Sequence, residues 1–413
     1  MNTIFETINS CRACNSSDIS EVMNLGSQPP ANSLYQINQI RPQSVPLRLM
    51  YCEECSTVQL GEDVDPEYLF ENYLWITGTS DTANQYSHSF VEKALSYSNK
   101  DNSELFVVEV ASNDGTFLEQ FQSAGCRVLG IDPATNIAKI ASDKGIPTEA
   151  NFFSIELAKT LLNSHGFADF IYARNVIPHV KEVHSVLSGI ETFLTKDGIG
   201  IIEFHNAGLL LDELHYDYIY HEHLFYYTLT SINSLLKRHG LYLFDVSLSP
   251  ISGGSWVVYF SKEQRKKSTK LIKAQTSEIE IKYNKKNSWV NFSKDAKKHA
   301  DDLSALVKKE VKTHGKIVAY GASARSSTLL NYCGINSDQI SVVIDKNPLK
   351  HGLYTAGSNI PVVSYEEGLS YIKESDMILL LAWNFKDEII KDLKLSGYKG
   401  NFIIPLPGKP QVK

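Results

Sequence analysis

The stretch Val107–Phe117, VVEVASNDGTF, decides the fold of this 413-residue chain. Its valines predict a buried strand, and Ser112, Asn113 and Gly115 allow a tight exit into a helix that begins near Thr116. A second strand, RVLGID, follows that helix. A strand, a tight turn, a helix and another strand in this order predict a parallel α/β sheet.

Carboxylates at the ends of the first two strands indicate which ligand this turn binds. Asp132 ends RVLGID, where it can accept hydrogen bonds from two ribose hydroxyls. A dinucleotide site needs G-x-G-x-x-G, which the turn lacks. Glu109 and Asp114 would repel a pyrophosphate, but they suit a cofactor with an amino acid and a sulfonium charge. We expect S-adenosylmethionine, with an ordinary structural turn as the alternative. The cofactor residues are predicted to be Glu109, Ser112, Asn113, Asp114, Gly115, Asp132 and Asn175.

The pattern divides the chain into four parts. Residues 1–80, with cysteine pairs and short β-prone runs, predict a small zinc-binding module. Residues 81–262 predict a doubly wound, Rossmann-like domain. At 263–314, lysines, acids and apolar residues alternate at helical spacing, which favours a solvated connecting helix pair over a nucleic-acid arm. The strand, turn and helix pattern restarts at 315–413 and predicts a second, smaller α/β Rossmann-like domain.

The composition is typical of a soluble globular protein, with 43% hydrophobic and 21% charged residues. The formal net charge of -7 makes nucleic acid an unfavourable partner. The N-terminus has no basic region followed by an apolar run, and no stretch has the length of a membrane span. We therefore expect a cytoplasmic protein without a membrane partner, and a monomer.

Four of the six cysteines form two short pairs, CRAC at 11–14 and CEEC at 52–55. Two tight turns that each supply two thiolates satisfy tetrahedral zinc, and they leave no position for water. The long interval between the pairs must form an excursion of its own. We predict a closed, structural zinc site, with unligated core cysteines as the alternative. Its ligands are Cys11, Cys14, Cys52 and Cys55.

Ionisable and phenolic side chains are unusually dense in YDYIYHEHLFYY at 216–227. Glu222 can orient one imidazole nitrogen of His223 so that the other takes a proton near neutral pH, while a phenol stabilises an oxyanion. This combination suits proton removal from carbon. A buried aromatic cluster with satisfied histidines is the structural alternative. A metal site of His221 and His223 is disfavoured, because positions i and i+2 face opposite sides of a strand.

His179, in ARNVIPHV, follows the predicted strand FIYA. Open α/β sheets bind ligands at this carboxyl edge of their strands. His179 is therefore a candidate for substrate contact, and helix capping is the alternative.

Several motifs together resemble one family, the bacterial nucleotide-sugar C-3 methyltransferases of deoxysugar pathways. The resemblance covers essentially the whole chain in order. It implies an N-terminal zinc module, a central S-adenosylmethionine domain and a C-terminal α/β domain. The implied substrate is a 4-keto-6-deoxyhexose linked to a nucleoside diphosphate, dTDP or GDP. It is expected to bind between the central and the C-terminal domains. The motifs are the two cysteine pairs, EVASNDGTFLEQF, YHEHLFYYT, GGSWVVYF at 253–260 and YGASARSSTLLNYCG at 320–334.

The resemblance also implies roles for individual residues. The family's proposed general base matches His223. In the family, a tyrosine of the stretch that resembles NYLWITGTS faces the sugar. Its nearest match here is Tyr73, although Trp75 stands where another tyrosine is expected. The assisting residues match Tyr220, Glu222 and His179.

The C-terminal turn after the strand KIVAY has the form of a phosphate site, because a glycine turn precedes a helix. The family usually has Lys where this chain has Arg325, and either cation can serve a diphosphate. A purely structural turn is the alternative. The substrate residues are predicted to be Gly321, Ala322, Ser323, Arg325, Asp345 and Lys346.

The resemblance implies methylation of carbon through an enolate. A C-4 ketone makes the C-3 hydrogen acidic, His223 removes it, and Tyr220 holds the enolate oxygen while the enolate attacks the sulfonium methyl group. Two other functions stay open at this point. One is O- or N-methylation of a nucleotide sugar, and the other is a non-catalytic zinc-ribbon binding protein.

Overall fold

Three large β-sheets and a two-stranded ribbon organise the computed structural model, which describes residues 4–65, 68–69, 77–79, 81–251 and 254–413. The large sheets have four, seven and six strands in the described residues. The first carries the cysteine pairs, and the other two are built of strand and helix alternation. The predicted α/β fold class, with a small N-terminal zinc-binding sheet and two Rossmann-like sheets, is confirmed.

The N-terminal sheet is antiparallel and takes its edge strand from the middle of the chain. In β3, VPLRLMYC, buried residues alternate with half-buried ones, because successive side chains of a strand point to opposite faces. Phe225–Tyr226 pairs with the strand Val58–Leu60, with Phe225 opposite Gln59 and Tyr226 opposite Val58. The N-terminal strands are β1 Phe5–Thr7, β2 Ile19–Gln28, β3 Val45–Cys52, β4 Val58–Leu60 and β5 Glu62–Val64, of which β1 and β5 form the ribbon.

The central sheet has the order β12-β13-β10-β9-β6-β7-β8. Its five neighbouring strands β10, β9, β6, β7 and β8 run parallel to one another. Its strands are β6 Phe106–Val110, β7 Arg127–Ile131, β8 Thr148–Glu149, β9 Ala168–Arg174, β10 Leu194–His205, β12 Tyr242–Ser249 and β13 Ser255–Ser261, with β11 the edge strand Phe225–Tyr226 described above. The chain winds from β6 outward to β8 and then returns to β9 on the other side. The carboxyl ends of β6 and β9 therefore flank a topological switch point, where open sheets bind ligands.

Helices connect these strands. The helix after the cofactor turn begins at Thr116, and Gly115 before it has a positive φ of 77°. The helices of this part are α1 Asp81–Leu95, α2 Thr116–Ser123, α3 Thr135–Asp143, α4 Ile155–His165, α5 Val183–Phe193, α6 Ala207–Asp212 and α7 Leu229–Arg238.

Two helices, α8 Thr269–Ile281 and α9 Lys286–His314, occupy the predicted connecting region. They are less solvated than the sequence pattern suggests, because α9 buries an apolar face. Trp289 is fully buried, and its Nε1 donates to the carbonyl oxygen of Tyr283 at 3.0 Å. His299 bonds through Nε2 to the Pro405 carbonyl oxygen at 2.8 Å. This helix thereby fastens the C-terminal part to the rest of the chain.

The C-terminal sheet has the order β16-β15-β14-β17-β18-β19 and is parallel except for β19. Its elements are β14 Ile317–Tyr320, α10 Ala324–Cys333, β15 Ile340–Ile344, β16 Val362–Val363, α11 Tyr365–Lys373, β17 Met377–Leu380, α12 Lys386–Leu395, β18 Asn401–Ile404 and β19 Gln411–Val412. Its switch point lies between β14 and β17, beside the turn that begins at Gly321. Among the described helices, none has both the length and the apolarity to cross a membrane.

A carboxylate from α8 caps the N-terminus of α7. Glu278 accepts hydrogen bonds from the backbone N–H groups of Leu229, at 2.6 Å, and Thr230, at 2.8 Å. Helix N-termini have unsatisfied donors and a partial positive charge, so a buried carboxylate stabilises them. Because α7 directly follows the YHEHLFYYT segment, this contact also fixes where that segment ends.

We expect Glu278→Ala to lower the free energy of unfolding by about 2–3 kcal/mol, because two N–H donors at the N-terminus of α7 lose a charged acceptor. Urea unfolding followed by circular dichroism measures the change. Glu280→Ala, an exposed position on the same helix, is the matched control. Equal midpoints for the two variants would contradict the capping role.

Candidate functional site

The four paired cysteines meet at one point in the N-terminal module. Cys11 Sγ lies 3.6 Å from Cys55 Sγ, Cys14 Sγ lies 3.5 Å from Cys52 Sγ, and all four sulfurs lie within 4.8 Å of one another. These separations far exceed a disulfide bond of about 2.05 Å. They are close to the edge of about 3.8 Å that follows for a tetrahedron with Zn–S bonds of about 2.3 Å. Four thiolates without an open position fit structural zinc.

The two cysteine turns have the same local construction. Asn15 and Ser56, each just after the second cysteine of its pair, have positive φ values of 61° and 58°. Their N–H groups donate to the carbonyl oxygens of Cys11, at 2.8 Å, and Cys52, at 3.0 Å. Two equivalent turns present two sulfurs each, so the geometry of the site comes from the backbone.

Strained backbone marks the cofactor turn at the switch point of the central sheet. Ala111, Asn113 and Asn175, none of them glycine, have φ values of 52–53° at the carboxyl ends of β6 and β9. Such conformations cost about 1–3 kcal/mol each and concentrate at functional sites. Ser112 Oγ is buried there, with no hydrogen-bond partner in the described part of the chain. An orphaned hydroxyl in a strained turn fits a bound cofactor.

Asp132 lies beside this turn, at the end of β7. Its Oδ2 accepts the N–H of Asn113 and its Oδ1 that of Ala134, both at 2.9 Å. Each oxygen keeps a second lone pair, which can accept a hydroxyl. The carboxylate is therefore held rigidly where a ribose is expected.

The acidic residues of the turn are partly neutralised by cations that sequence reasoning missed. Lys144 Nζ lies 2.8 Å from Asp114 Oδ2, and Arg174 Nε lies 3.5 Å from Glu109 Oε1. Burial still raises the pKa of Glu109 to about 8. Arg174 ends the strand ADFIYAR, so a polar residue at the close of an apolar run was the available signal.

A second buried acid, Glu203 on β10, also escaped sequence reasoning. Its side chain is fully buried, and Ser249 Oγ donates to its Oε1 at 2.7 Å. Glu203 pairs in register with Arg174, so both side chains lie on the same face as Glu109. Burial raises the pKa of Glu203 as well, so a cationic ligand at this edge of the sheet would favour the ionised form of both acids.

His223 has a fixed tautomer. Its Nδ1 lies 2.8 Å from the Tyr218 carbonyl oxygen, which can only accept, so Nδ1 carries the proton and Nε2 carries the lone pair. The ring packs on Tyr220 at 3.9 Å between centroids. Burial, with His179 nearby, lowers the pKa of His223 well below its usual range, so the ring is neutral at pH 7.

Glu222 does not orient His223 as the sequence suggested. Its carboxylate instead accepts hydrogen bonds from Asn32 Nδ2, at 2.7 and 3.0 Å. The backbone carbonyl of Tyr218 has the orienting role. The segment turns before His223 and brings that carbonyl oxygen within hydrogen-bond distance of Nδ1. Burial raises the pKa of Glu222 to about 7.

His179 lies next to the base. Its ring centroid is 4.8 Å from that of His223, and its Nδ1 donates to the Glu222 carbonyl oxygen at 2.6 Å. Burial lowers the pKa of His179 to about 4. His221, by contrast, faces the N-terminal module, with Nε2 3.2 Å from the Val45 carbonyl oxygen. The structure thus brings His179, Tyr220, Glu222 and His223 together, whereas Tyr73 and Trp75 lie outside the described residues.

A glycine and two side-chain acceptors order the C-terminal turn. Gly321 has a φ of 100°, Ala322 N donates to Asp345 Oδ2 at 2.7 Å, and Ser323 Oγ caps α10 by accepting the Ser326 N–H. Lys346 points away and pairs with Asp392 at 3.2 Å. These contacts bring Gly321, Ala322, Ser323 and Asp345 together, but not Lys346.

Arg325 is already paired. Its Nε lies 3.1 Å from Asp217 Oδ2, and its Nη2 lies 3.0 Å from Asp217 Oδ1. Both carboxylate oxygens are therefore engaged by one guanidinium. A diphosphate would have to compete with this buried ion pair, which the local sequence does not reveal.

Comparisons with known proteins agree with this order of parts. Family models match residues 11–70 as "Putative zinc binding domain", 83–246 as "Methyltransferase domain" and 250–407 as "C-methyltransferase C-terminal domain". C-methyltransferase NovU of Streptomyces niveus is 31% identical over 422 residues, which span 100% of this chain and 98% of that protein. The chain belongs to the C-methyltransferase family. This confirms the family that the motifs resemble, and with it an S-adenosylmethionine-dependent methyltransferase with structural zinc and a small-molecule substrate.

Solved structures resemble part of this C-methyltransferase only weakly. Magnesium protoporphyrin IX methyltransferase of Synechocystis PCC 6803, with bound S-adenosylmethionine, is 15% identical and matches 43% of this chain and 78% of its own at a TM-score of 0.33. The PH0226 protein of Pyrococcus horikoshii OT3, also 15% identical, matches 48% and 99% at 0.37. The family membership rests on the sequence matches alone.

We expect Cys52→Ser to lose the zinc and lower the thermal midpoint, because binding energy of a structural zinc is folding energy. Metal analysis by mass spectrometry on the purified protein measures occupancy. Cys126→Ser, a buried cysteine outside the cluster, should keep a full equivalent of zinc. Equal zinc content in both variants would refute the assigned ligands.

Proposed function

We propose that this C-methyltransferase methylates C-3 of a nucleoside-diphosphate-linked 4-keto-6-deoxyhexose through an enolate. The observation that carries the proposal is the state of His223. A neutral ring with its proton fixed on Nδ1 offers the Nε2 lone pair as a base. Carbon-bound hydrogen next to a ketone is acidic enough for such a base when the resulting oxyanion is stabilised.

Phenols beside the base supply that stabilisation. Burial raises the pKa of Tyr220 well above its usual range, so its hydroxyl stays protonated and can donate to the enolate oxygen. His179 keeps a lone pair on Nε2 and can contact the sugar. S-adenosylmethionine, when bound, supplies the electrophilic methyl group. A base and a proton donor on the same side of the site favour carbon acid chemistry over transfer to a hydroxyl or an amine.

The two ligands are assigned to the two switch points. Asp132 is proposed to hold the ribose of the cofactor, and the remaining turn residues its amino acid part, with Asn175 beside them. The nucleotide of the substrate is proposed to lie at Gly321–Ser323 and Asp345, where α10 offers its N-terminus to the diphosphate. Arg325 reaches a phosphate only if it leaves Asp217, so we place the diphosphate on the turn itself. The enzyme is proposed to act as a monomer.

A panel of dTDP- and GDP-linked 4-keto-6-deoxyhexoses, incubated with S-adenosylmethionine and enzyme, tests the proposal. Mass spectrometry should show one added methyl group on at least one sugar, and NMR should place it on C-3. In deuterated water without the methyl donor, the same sugar should exchange its C-3 hydrogen. A methyl group on oxygen or nitrogen, with no exchange at C-3, would establish the O- or N-methylation alternative instead.

We expect His223→Asn to abolish both turnover and C-3 exchange, because the variant lacks the proposed base, and to leave S-adenosylmethionine affinity within about twofold. Calorimetric titration measures the affinity. His88→Asn, an exposed histidine on α1, serves as the control. A His223→Asn enzyme with near-normal exchange would remove His223 from the mechanism.

The pH dependence of exchange follows from the lowered pKa of the imidazoles. A base with a depressed pKa stays unprotonated as the pH falls, so its activity persists below the usual imidazole value of about 6.5. Glu222, with a pKa of about 7, titrates in the same pH range, so the measurement uses the Glu222→Gln variant, which lacks that titration. In that variant we expect the rate of C-3 exchange to stay level from pH 8 to about 6.5 and to fall only below it. A half-maximal rate at or above about pH 6.5 would contradict a buried base with a lowered pKa.

A further inference from the structure

The segment that carries His223 is bound by C-terminal residues, and the first point of contact is the Asp217 side chain. This carboxylate is fully buried and accepts three hydrogen bonds, all from C-terminal residues. Arg325, in the first turn of α10, donates two, at 3.0 and 3.1 Å, and Trp383 Nε1 donates the third at 2.8 Å. The Arg325 guanidinium also lies 4.7 Å from the centroid of the Trp383 ring. A buried carboxylate with this set of charged and neutral donors is held in one position.

Helix α10 makes a second contact with the segment, at Ile219, two residues after Asp217. Thr328 Oγ1 donates to the Ile219 carbonyl oxygen at 2.8 Å. Arg325 and Thr328 are three residues apart in α10 and so lie on one face of the helix. Between their two targets stands Tyr218, which is therefore fastened on both sides by α10.

Tyr218 is the residue that orients the base. Its carbonyl oxygen accepts a hydrogen bond from His223 Nδ1–H, and its ring packs against the His223 ring at 4.2 Å between centroids. The other face of Tyr218 stacks on His205 at 3.9 Å. A rotation of the peptide at Tyr218 would release His223 Nδ1 and permit the other tautomer, in which Nε2 carries the proton and cannot act as a base.

From these contacts we infer that Arg325, Thr328 and Trp383 are positioning residues, through which the C-terminal domain sets the tautomer and orientation of the catalytic imidazole. This inference rests on the proposed role of His223 as base. It gives Arg325 a different task from diphosphate binding: the guanidinium acts on the reaction through Asp217 and Tyr218. The C-terminal domain then contributes to proton removal as well as to substrate binding.

Two conservative variants test the inference in the full-length, zinc-loaded enzyme. Arg325→Lys keeps the charge but loses the two-point contact, and Thr328→Val keeps the shape but loses the hydroxyl. We expect each to lower kcat and the rate of C-3 exchange by about 10- to 100-fold, because small misplacement of a catalytic group has effects of this size. The KM of the sugar and the affinity for S-adenosylmethionine should change by less than about twofold. Arg238→Lys and Thr313→Val, both at exposed positions, are the matched controls.

A spectroscopic readout separates positioning from loss of structure. In nitrogen-15 NMR of histidine-labelled enzyme, the His223 signal, identified by its loss in His223→Asn, should report Nδ1–H in the wild type and a mixture of tautomers in both variants. Thermal midpoints and zinc content verify that the variants fold. If Arg325→Lys does not fold, Thr328→Val alone decides the outcome.

Two results would overturn the inference. A raised KM with unchanged kcat in Arg325→Lys would make Arg325 a substrate contact, and an unaltered His223 tautomer with normal exchange in Thr328→Val would remove the positioning role. Failure of the proposed function looks different, because then the wild-type enzyme itself would show no C-3 exchange.

Discussion

A buried neutral imidazole presents its lone pair on one fixed nitrogen when its other nitrogen has an acceptor for its proton. Here that acceptor is the Tyr218 carbonyl, at 2.8 Å from His223 Nδ1. The segment between Tyr216 and Thr228 has little regular structure of its own, so its conformation must come from its surroundings. Each of the surrounding parts contributes a contact. The N-terminal module binds Glu222 through Asn32, α8 caps the following helix, and α10 holds Asp217 and Ile219.

The division of the chain into several sheets has a physical reason in this arrangement. Regular strands satisfy their own backbone groups, whereas an irregular buried segment needs acceptors and donors from elsewhere. A single Rossmann-like sheet covers such a segment from one side only. The zinc-held sheet and the C-terminal sheet supply the remaining partners, and they enclose histidines that burial keeps neutral.

Local patterns in the sequence predicted much of the fold and part of the site. The strand, turn and helix after Val107 and the restart after Gly315 follow from apolar runs and turn residues, which are read over short distances. The cysteine spacing predicted a four-sulfur cluster because the ligand chemistry itself is local. Pairings across the fold gave no such signal. Asn32 and Glu222 are 190 positions apart, and Arg325 and Asp217 are 108 apart, so neither contact appears in any local pattern. For the same reason, the local sequence predicts its neighbour His223, and not Asn32, as the partner of the Glu222 carboxylate.

The edge strand Phe225–Tyr226 ties the metal cluster to the reaction in a further way. It comes directly after the histidine segment and closes the edge of the sheet whose turns carry the cysteines. An open sheet edge invites pairing with other chains, and a structural metal adds its binding energy to the stability of the sheet that it holds. Zinc therefore also stabilises the pairing of Phe225–Tyr226 with Val58–Leu60, and with it the end of the histidine segment. A structural metal near the N-terminus thus contributes to the order of the segment that carries the proposed base in the middle of the chain.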